Sequence, residues 1–124
     1  MGQPDFRIRS RKRDFDTDSS RIGNVLAVLD EQILRINHEE AGLRSRLDQT
    51  TNDAAFSQVA LENGENVSVA ELDELTDTIT RCAERIAFLE VQVVFLARLR
   101  QDLLRFMADR GLDAHGGGPN RIGH

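Results

Sequence analysis

The chain has 124 residues and a formal net charge of −5. A chain of this length forms at most one small domain, whose single core is marginal without a partner, so oligomerisation is expected from the outset. The acidic balance argues against a wholly basic nucleic-acid binder, although local basic patches need separate consideration.

The composition and the first residues favour a cytoplasmic protein of bacterial origin. Of the 16 Lys and Arg residues only Lys12 is a lysine, which is typical of a GC-rich genome. Residues 1–20 have no apolar core between their charges, so the sequence predicts neither a secretory signal nor a membrane anchor there. The longest nearly uncharged run, residues 91–97, is too short for membrane insertion. The lone Cys82 excludes an intramolecular disulfide and fits a reducing compartment.

Residues 1–19 are predicted to form a flexible arm in which basic residues precede acidic ones. Its cations are Arg7, Arg9, Arg11, Lys12 and Arg13. Asp14, Asp16 and Asp18 follow at once and oppose the counterion release that gives nucleic-acid arms their affinity. The arm is therefore a candidate for binding phosphate or anionic lipid, but a flexible solvated arm, or one that pairs with an acidic hairpin tip, explains the same charges.

Residues 20–62 are predicted to form the first of two long helices. Two interleaved seven-residue series indicate a coiled-coil seam that is well filled as far as Leu47 and weaker beyond it. The series are Leu26, Ile33, Glu40, Leu47, Ala54 and Leu61, and Ile22, Leu29, Ile36, Leu43, Thr50 and Ser57. Glu40 thus lies within the seam, where a polar residue sets the helix register at a cost in stability.

Residues 63–67 are predicted to form a turn, and residues 68–110 the second helix. Asn63 and Gly64 tolerate the left-handed conformation at a helix end, and Ser68 with Glu71 forms a capping-box pattern at the next helix start. The seam of the second helix is nearly unbroken as far as Leu96. Its series are Leu72, Ile79, Ile86, Val93, Arg100 and Met107, and Leu75, Cys82, Leu89, Leu96, Leu103 and Arg110.

These elements predict an all-α fold, a long antiparallel two-helix coiled-coil hairpin. Because the helices have matched lengths and a short connection, residues whose numbers sum to about 130 should pair, which brings Arg100 near Asp30. Gly111 follows the second helix as a stop signal. Residues 111–124, with three consecutive glycines before Pro119, are predicted to form a disordered tail.

The hairpin turn is predicted to be acidic. No Lys or Arg occurs between Arg46 and Arg81, whereas carboxylates are frequent. The candidate acidic docking tip comprises Glu62, Glu65, Glu71, Asp73, Glu74 and Asp77. Such a tip can steer a basic partner toward the hairpin. The same charges also fit a solvated turn in which Glu71, Asp73 and Glu74 complement the positive end of a helix dipole.

Apolar residues that lie outside the two seams are expected to form an interface. One partner helix cannot cover all of them, and exposed apolar patches normally mark sites of association. The candidates are Val25, Val28, Leu34, Phe88, Val91, Val94, Phe95, Leu99, Leu104 and Phe106. The simplest arrangement is a homodimer in which two hairpins form a four-helix bundle. A different helical protein on the same surface is the main alternative.

The sequence predicts no catalytic, cofactor or metal site. His38, Glu39 and Glu40 lack the second histidine that a zinc-binding helix needs one turn further on. Cys82 occupies the seam, where a cysteine behaves as a small hydrophobe. The glycines at 116–118 follow no strand and precede no helix, so they do not form a phosphate loop.

We therefore expect a non-enzymatic coiled-coil adaptor, chaperone or assembly protein that acts through protein–protein interaction. By analogy of shape, small helical hairpins of this size occur in bacterial secretion, export and other macromolecular assemblies. The expected partners are a second copy or a helical protein, and a basic protein at the acidic tip. The alternative is a small dimeric nucleic-acid-binding protein that uses the basic arm.

Overall fold

The computed structural model describes residues 3–112, and the side chains of residues 10–112. Helix α1 spans Gln3–Glu62 and helix α2 spans Val69–Arg110, and the two pack against each other as a helical hairpin. No strand occurs in the described residues. The described residues form two compact units: the terminal unit, residues 3–33 with 95–112, and the turn unit, Leu34–Val94. The all-α hairpin predicted from the seams is thus confirmed.

Helix α1 begins at Gln3 rather than at Ser20, so the predicted boundary of a non-helical arm is wrong. Between Pro4 and Gly23 the sequence contains no helix-breaking residue, and a proline in the first turn of a helix is tolerated. Phe15 also continues the seven-residue series of Ile22. Ser19, which resembles a cap in the sequence, is 1% exposed and occupies a position of the other series. The helical pattern therefore runs through the residues that were assigned to the arm.

Both helices end in the same way, with a glycine in the left-handed conformation. Gly64 has φ 79°, and the Glu65 N–H donates to the Ala60 carbonyl at 2.9 Å. Gly111 has φ 67°, and the Leu112 N–H donates to the Met107 carbonyl at 2.8 Å. These six-to-one hydrogen bonds define Schellman motifs, which satisfy carbonyls that a helix end would otherwise leave unpaired. The C-terminal cap includes Gly111 and Leu112, so the predicted tail cannot begin at 111; residues 113–124 lie outside the described part.

The turn between the helices also ends in a cap. The Glu71 N–H donates to the Ser68 hydroxyl oxygen at 3.3 Å, which confirms Ser68 as the N-cap of α2. The Leu72 N–H donates to the Ser68 carbonyl at 3.2 Å and begins the helical ladder. Caps on both sides therefore fix the position of the turn.

The core of the turn unit consists of seam residues. Ile36 of α1 and Cys82, Ile86 and Leu89 of α2 are buried, and Leu89 is 1% exposed. All four belong to the predicted series, so the heptad pattern identifies the buried faces of both helices. Cys82 is a free thiol inside this core, as expected for a small apolar seam residue.

The core of the terminal unit follows the same pattern. Leu26 and Met107 are buried at seam positions. The Arg100 Nε donates to Asp30 Oδ1 at 2.5 Å. This ion pair joins the residues that the register predicts to be neighbours, and that register is therefore confirmed here.

Candidate interaction surfaces

The apolar surface of the terminal unit forms a groove between its two helices. Val25 and Leu29 of α1 and Leu99, Leu103 and Phe106 of α2 line a shallow depression of about 340 Å³, with Asp102 at its edge. Leu99 is 39% and Phe106 42% exposed, although both are large apolar side chains. The groove offers apolar walls on two helices, which is the geometry that accepts a further helix.

Two neighbouring residues extend this groove along the helices. Val28 lies one turn from Val25, and Phe95 lies one turn from Leu99. Each of these two side chains is 57% exposed. Val25, Val28, Phe95, Leu99 and Phe106 together are called the groove face below. Leu104, which the sequence groups with them, is half-buried and so contributes less free surface.

A second depression in the terminal unit has polar walls. Asp18, Arg21 and Ile22 of α1 line it together with Phe106, Arg110 and Leu112. Arg21 Nη1 lies 3.3 Å from Asp18 Oδ1, and the Arg110 guanidinium carbon lies 5.3 Å from the centre of the Phe106 ring. A cation over an aromatic face stabilises the pair modestly at an exposed site. These charged groups already have partners within the chain. The depression borders the groove face but is not itself a candidate binding site.

The other predicted interface residues belong to the turn unit. Leu34 is 60%, Phe88 57%, Val91 64% and Val94 57% exposed. Arg85 covers part of Phe88 because its guanidinium carbon lies 5.9 Å from the ring centre. The same guanidinium is held by Glu39, with Arg85 Nε donating to Glu39 Oε2 at 3.0 Å. Phe88 is thus partly shielded within the hairpin itself.

Every predicted tip carboxylate is exposed in the turn unit. Asp48 and Asp53 on α1 add to them, so the segment between Arg46 and Arg81 contains eight carboxylates and no Lys or Arg. Gln49 donates to Asp53 at 3.3 Å, and Gln58 donates to Glu62 at 3.3 Å, which holds these two acidic side chains along the helix. The acidic character of this end of the turn unit follows directly from its composition.

An apolar pair within the acidic segment was not identified from the sequence. Phe56 is 77% exposed, the highest value among the exposed large apolar residues of the described chain, and Val59 one turn later is 53% exposed. Both lie outside the two seam series of α1. That displacement from the heptad pattern was the signal that could have revealed them.

The basic residues of the arm predicted from the sequence lie on helix α1. Arg11, Lys12 and Arg13 are exposed on α1, whereas the side chains of Arg7 and Arg9 lie outside the described set. Successive helical residues point about 100° apart, so the three cations spread around the helix. Asp14 and Asp16 lie one turn from Arg11 and Lys12 and reduce the local positive charge.

The acidic seam residue Glu40 is paired. Arg44 donates to Glu40 Oε2 from Nε at 3.0 Å and from Nη2 at 2.8 Å, and Nη2 also lies 2.6 Å from Glu90 Oε2 on α2. The hydrogen bond to Glu40, followed by the charges of both carboxylates, raises the pKa of the Arg44 guanidinium. The cluster links the two helices through charge-assisted hydrogen bonds.

The described residues contain no group of three His, Cys, Asp or Glu side chains that could hold a metal ion. Within the described helices, no stretch is long and apolar enough to cross a membrane. Comparison with protein-family models, with curated proteins and with solved structures finds no match for this chain. The exposed surfaces of the two units are therefore the features of the chain that indicate function.

Proposed function

We propose that this protein is a non-enzymatic coiled-coil adaptor, chaperone or assembly protein of the bacterial cytoplasm, which acts by binding other helical surfaces. The groove face carries this proposal. The depression between the helices has an apolar wall on each of them, and these walls are exposed in the single hairpin. A third and a fourth helix can cover this apolar surface. A second copy of the chain is the simplest partner, because two groove faces would then cover each other in a four-helix bundle.

The size of the groove face is adequate for weak to moderate self-association. Full burial of a Val, Leu or Phe side chain stabilises by about 1.5–3 kcal/mol. Because the groove-face side chains are already about half covered, each contributes about 1 kcal/mol, or about 10 kcal/mol for both copies. Association costs roughly 4–15 kcal/mol in lost freedom. At the lower end of this cost a net favourable free energy remains, and removing two groove residues from each copy takes away about 4 kcal/mol of it, which should abolish the dimer.

Capture of one copy by another tests this proposal. A tagged and an untagged full-length chain are co-expressed, and the untagged chain is measured in the tagged fraction purified at about 1 M sodium chloride, where contacts between exposed charges are screened. The wild-type chain should be co-purified, and a chain with Phe95→Asp and Leu99→Asp in both copies should not. Val69→Asp is the control, because it places a charge on an apolar residue that is 60% exposed and lies outside the groove face. Equal recovery of wild-type and double-variant chains would refute the proposed interface.

The second candidate function is nucleic-acid binding by a similar dimer. The exposed Arg11, Lys12 and Arg13 support it, and Arg7 and Arg9 add charge in the sequence. Asp14 and Asp16, one helical turn away, weaken the positive field, so this candidate ranks second. Removing residues 3–13 should abolish a salt-sensitive gel shift of DNA or RNA if this function is real. Absence of any shift by the full-length chain at low salt would eliminate it.

A further inference from the structure

The exposed apolar pair Phe56 and Val59 indicates a second docking surface, in the turn unit. The two side chains lie one turn apart on α1 and are 77% and 53% exposed. Asp53 lies one turn before Phe56, and Glu62 lies one turn after Val59. The surface is therefore an apolar patch with a carboxylate at each end along the helix; these four residues are called the tip patch below.

The charge around the tip patch restricts the partner. No Lys or Arg lies between Arg46 and Arg81, so the charged side chains of this segment are all carboxylates. A partner that approaches this part of the turn unit therefore meets negative charge. Like charges across an interface are unfavourable, whereas a basic surface is steered toward an acidic one. The occupant must therefore combine positive charge with an apolar side chain.

One segment of this same chain has that combination. Arg11 and Lys12 lie four and three residues before Phe15 on α1, so each lies within about 60° of the phenylalanine around the helix axis, one on either side of it. Arg11 and Lys12 are exposed, and Phe15 is 42% exposed. Arg13 adds a further exposed cation. Asp18, one turn after Phe15, forms an ion pair with Arg21 at 3.3 Å.

We propose that the tip patch binds the basic segment Arg11–Phe15 of a second copy of the chain. Phe15 would pack against Phe56 and Val59, while Arg11 and Lys12 would face Asp53 and Glu62. This inference names the partner of the acidic tip in the proposed adaptor function and depends on that role. It involves a different surface from the groove face.

The contact joins unlike surfaces, so it is heterologous rather than self-complementary. After one contact forms, each copy retains an unused tip patch or an unused basic segment, and further copies can add. Aromatic and aliphatic packing supplies short-range attraction, and the opposite charges supply long-range attraction. Asp14 and Asp16 reduce the charge of the basic segment, so the contact is weak and sensitive to salt.

Sedimentation velocity of the full-length protein at two salt concentrations tests the proposal. At about 0.1 M sodium chloride the Debye length is about 10 Å, and at about 1 M it is about 3 Å. The weight-average sedimentation coefficient should rise with protein concentration at low salt and show at least a tenfold weaker association at high salt. A coefficient whose concentration dependence is the same at both salt concentrations would overturn the proposal.

Two charge-reversal variants identify the surfaces. The segment variant carries Arg11→Glu, Lys12→Glu and Arg13→Glu, and the tip variant carries Asp53→Lys, Phe56→Ala and Glu62→Lys. Each variant alone should lose the salt-sensitive association, and an equimolar mixture should recover it, because the tip of the first variant and the segment of the second are intact. Retention of the association in either variant alone, or no recovery in the mixture, would overturn the proposed pairing.

A matched control and the high-salt measurement separate this inference from the groove-face proposal. Arg98→Glu with Arg105→Glu reverses two exposed cations of α2 in the terminal unit, outside the basic segment, and it should leave the salt-sensitive association intact. Loss of association in this control would show a general charge effect and refute the specific contact. A dimer that persists at high salt, with no larger sedimentation coefficient at low salt, would refute the tip contact alone. A monomer at high salt would refute the groove-face dimer instead.

Discussion

Single residues explain why the seam tolerates charge. Glu40 occupies a seam position with its side chain only 18% exposed, and Arg44 connects it to Glu90 on the facing helix. A carboxylate at such a position is stable only while its hydrogen bonds are present. We therefore expect the cluster to fix the alignment of the helices at the expense of stability, as polar seam residues do in other coiled coils.

Glu40→Leu should raise the free energy of unfolding by about 1.5 kcal/mol, because leucine at a seam position buries apolar surface and removes the need for a charged partner. Urea denaturation monitored by circular dichroism measures the change. Arg44→Ala should lower stability in the wild-type chain and have a smaller effect in the Glu40→Leu background, where only its exposed pair with Glu90 is lost. Equal effects of Arg44→Ala in both backgrounds would show that Arg44 does not act through Glu40.

Two glycines should respond in opposite directions to the same substitution. Gly42→Ala should stabilise the protein by about 0.5–1 kcal/mol, because Gly42 lies inside α1 and an added Cβ meets nothing within 4 Å. Gly64→Ala should destabilise it by about 1 kcal/mol, since φ 79° is unfavourable for a residue with a Cβ. Thermal melts of both variants provide the comparison. Stabilisation by Gly64→Ala would contradict the Schellman cap.

At the level of elements, the seams, the turn and the caps were predictable from sequence because they depend on local spacing and on a few residues such as Ser68 and Gly64. The start of α1 was not. A serine after Asp18 resembles a cap, yet Ser19 is buried and Phe15 continues the seam series. Phe56 was missed although its position outside both seam series of α1 indicates exposure.

Thr17→Pro distinguishes the two positions for the start of α1. Proline inside a helix removes a hydrogen bond and costs about 3 kcal/mol, whereas proline before a helix costs little. With α1 beginning at Gln3, the variant should lose helical ellipticity at 222 nm and unfold at a lower temperature than the Thr17→Ala control. An unchanged spectrum and melting temperature would place Thr17 outside the helix.

For the molecule as a whole, the distribution of surface chemistry determines the proposed role. The terminal unit carries an apolar groove, and the turn unit carries an acidic surface with Phe56 and Val59 exposed on it. The sequence predicted the exposed groove-face residues, because they lie outside the seams. It could not predict that Leu104 would be half-buried, since that depends on the packing of the folded helices.

Light scattering of the full-length chain in high salt tests the central proposal, self-association through the groove face, most directly. The wild-type protein should have about twice the chain mass of 13.9 kDa. Phe95→Asp with Leu99→Asp should reduce this to 13.9 kDa while the helical circular dichroism signal is retained, because the substituted side chains are exposed in the single chain. A wild-type mass of 13.9 kDa, or a double variant with the same mass as a wild-type dimer, would contradict the account.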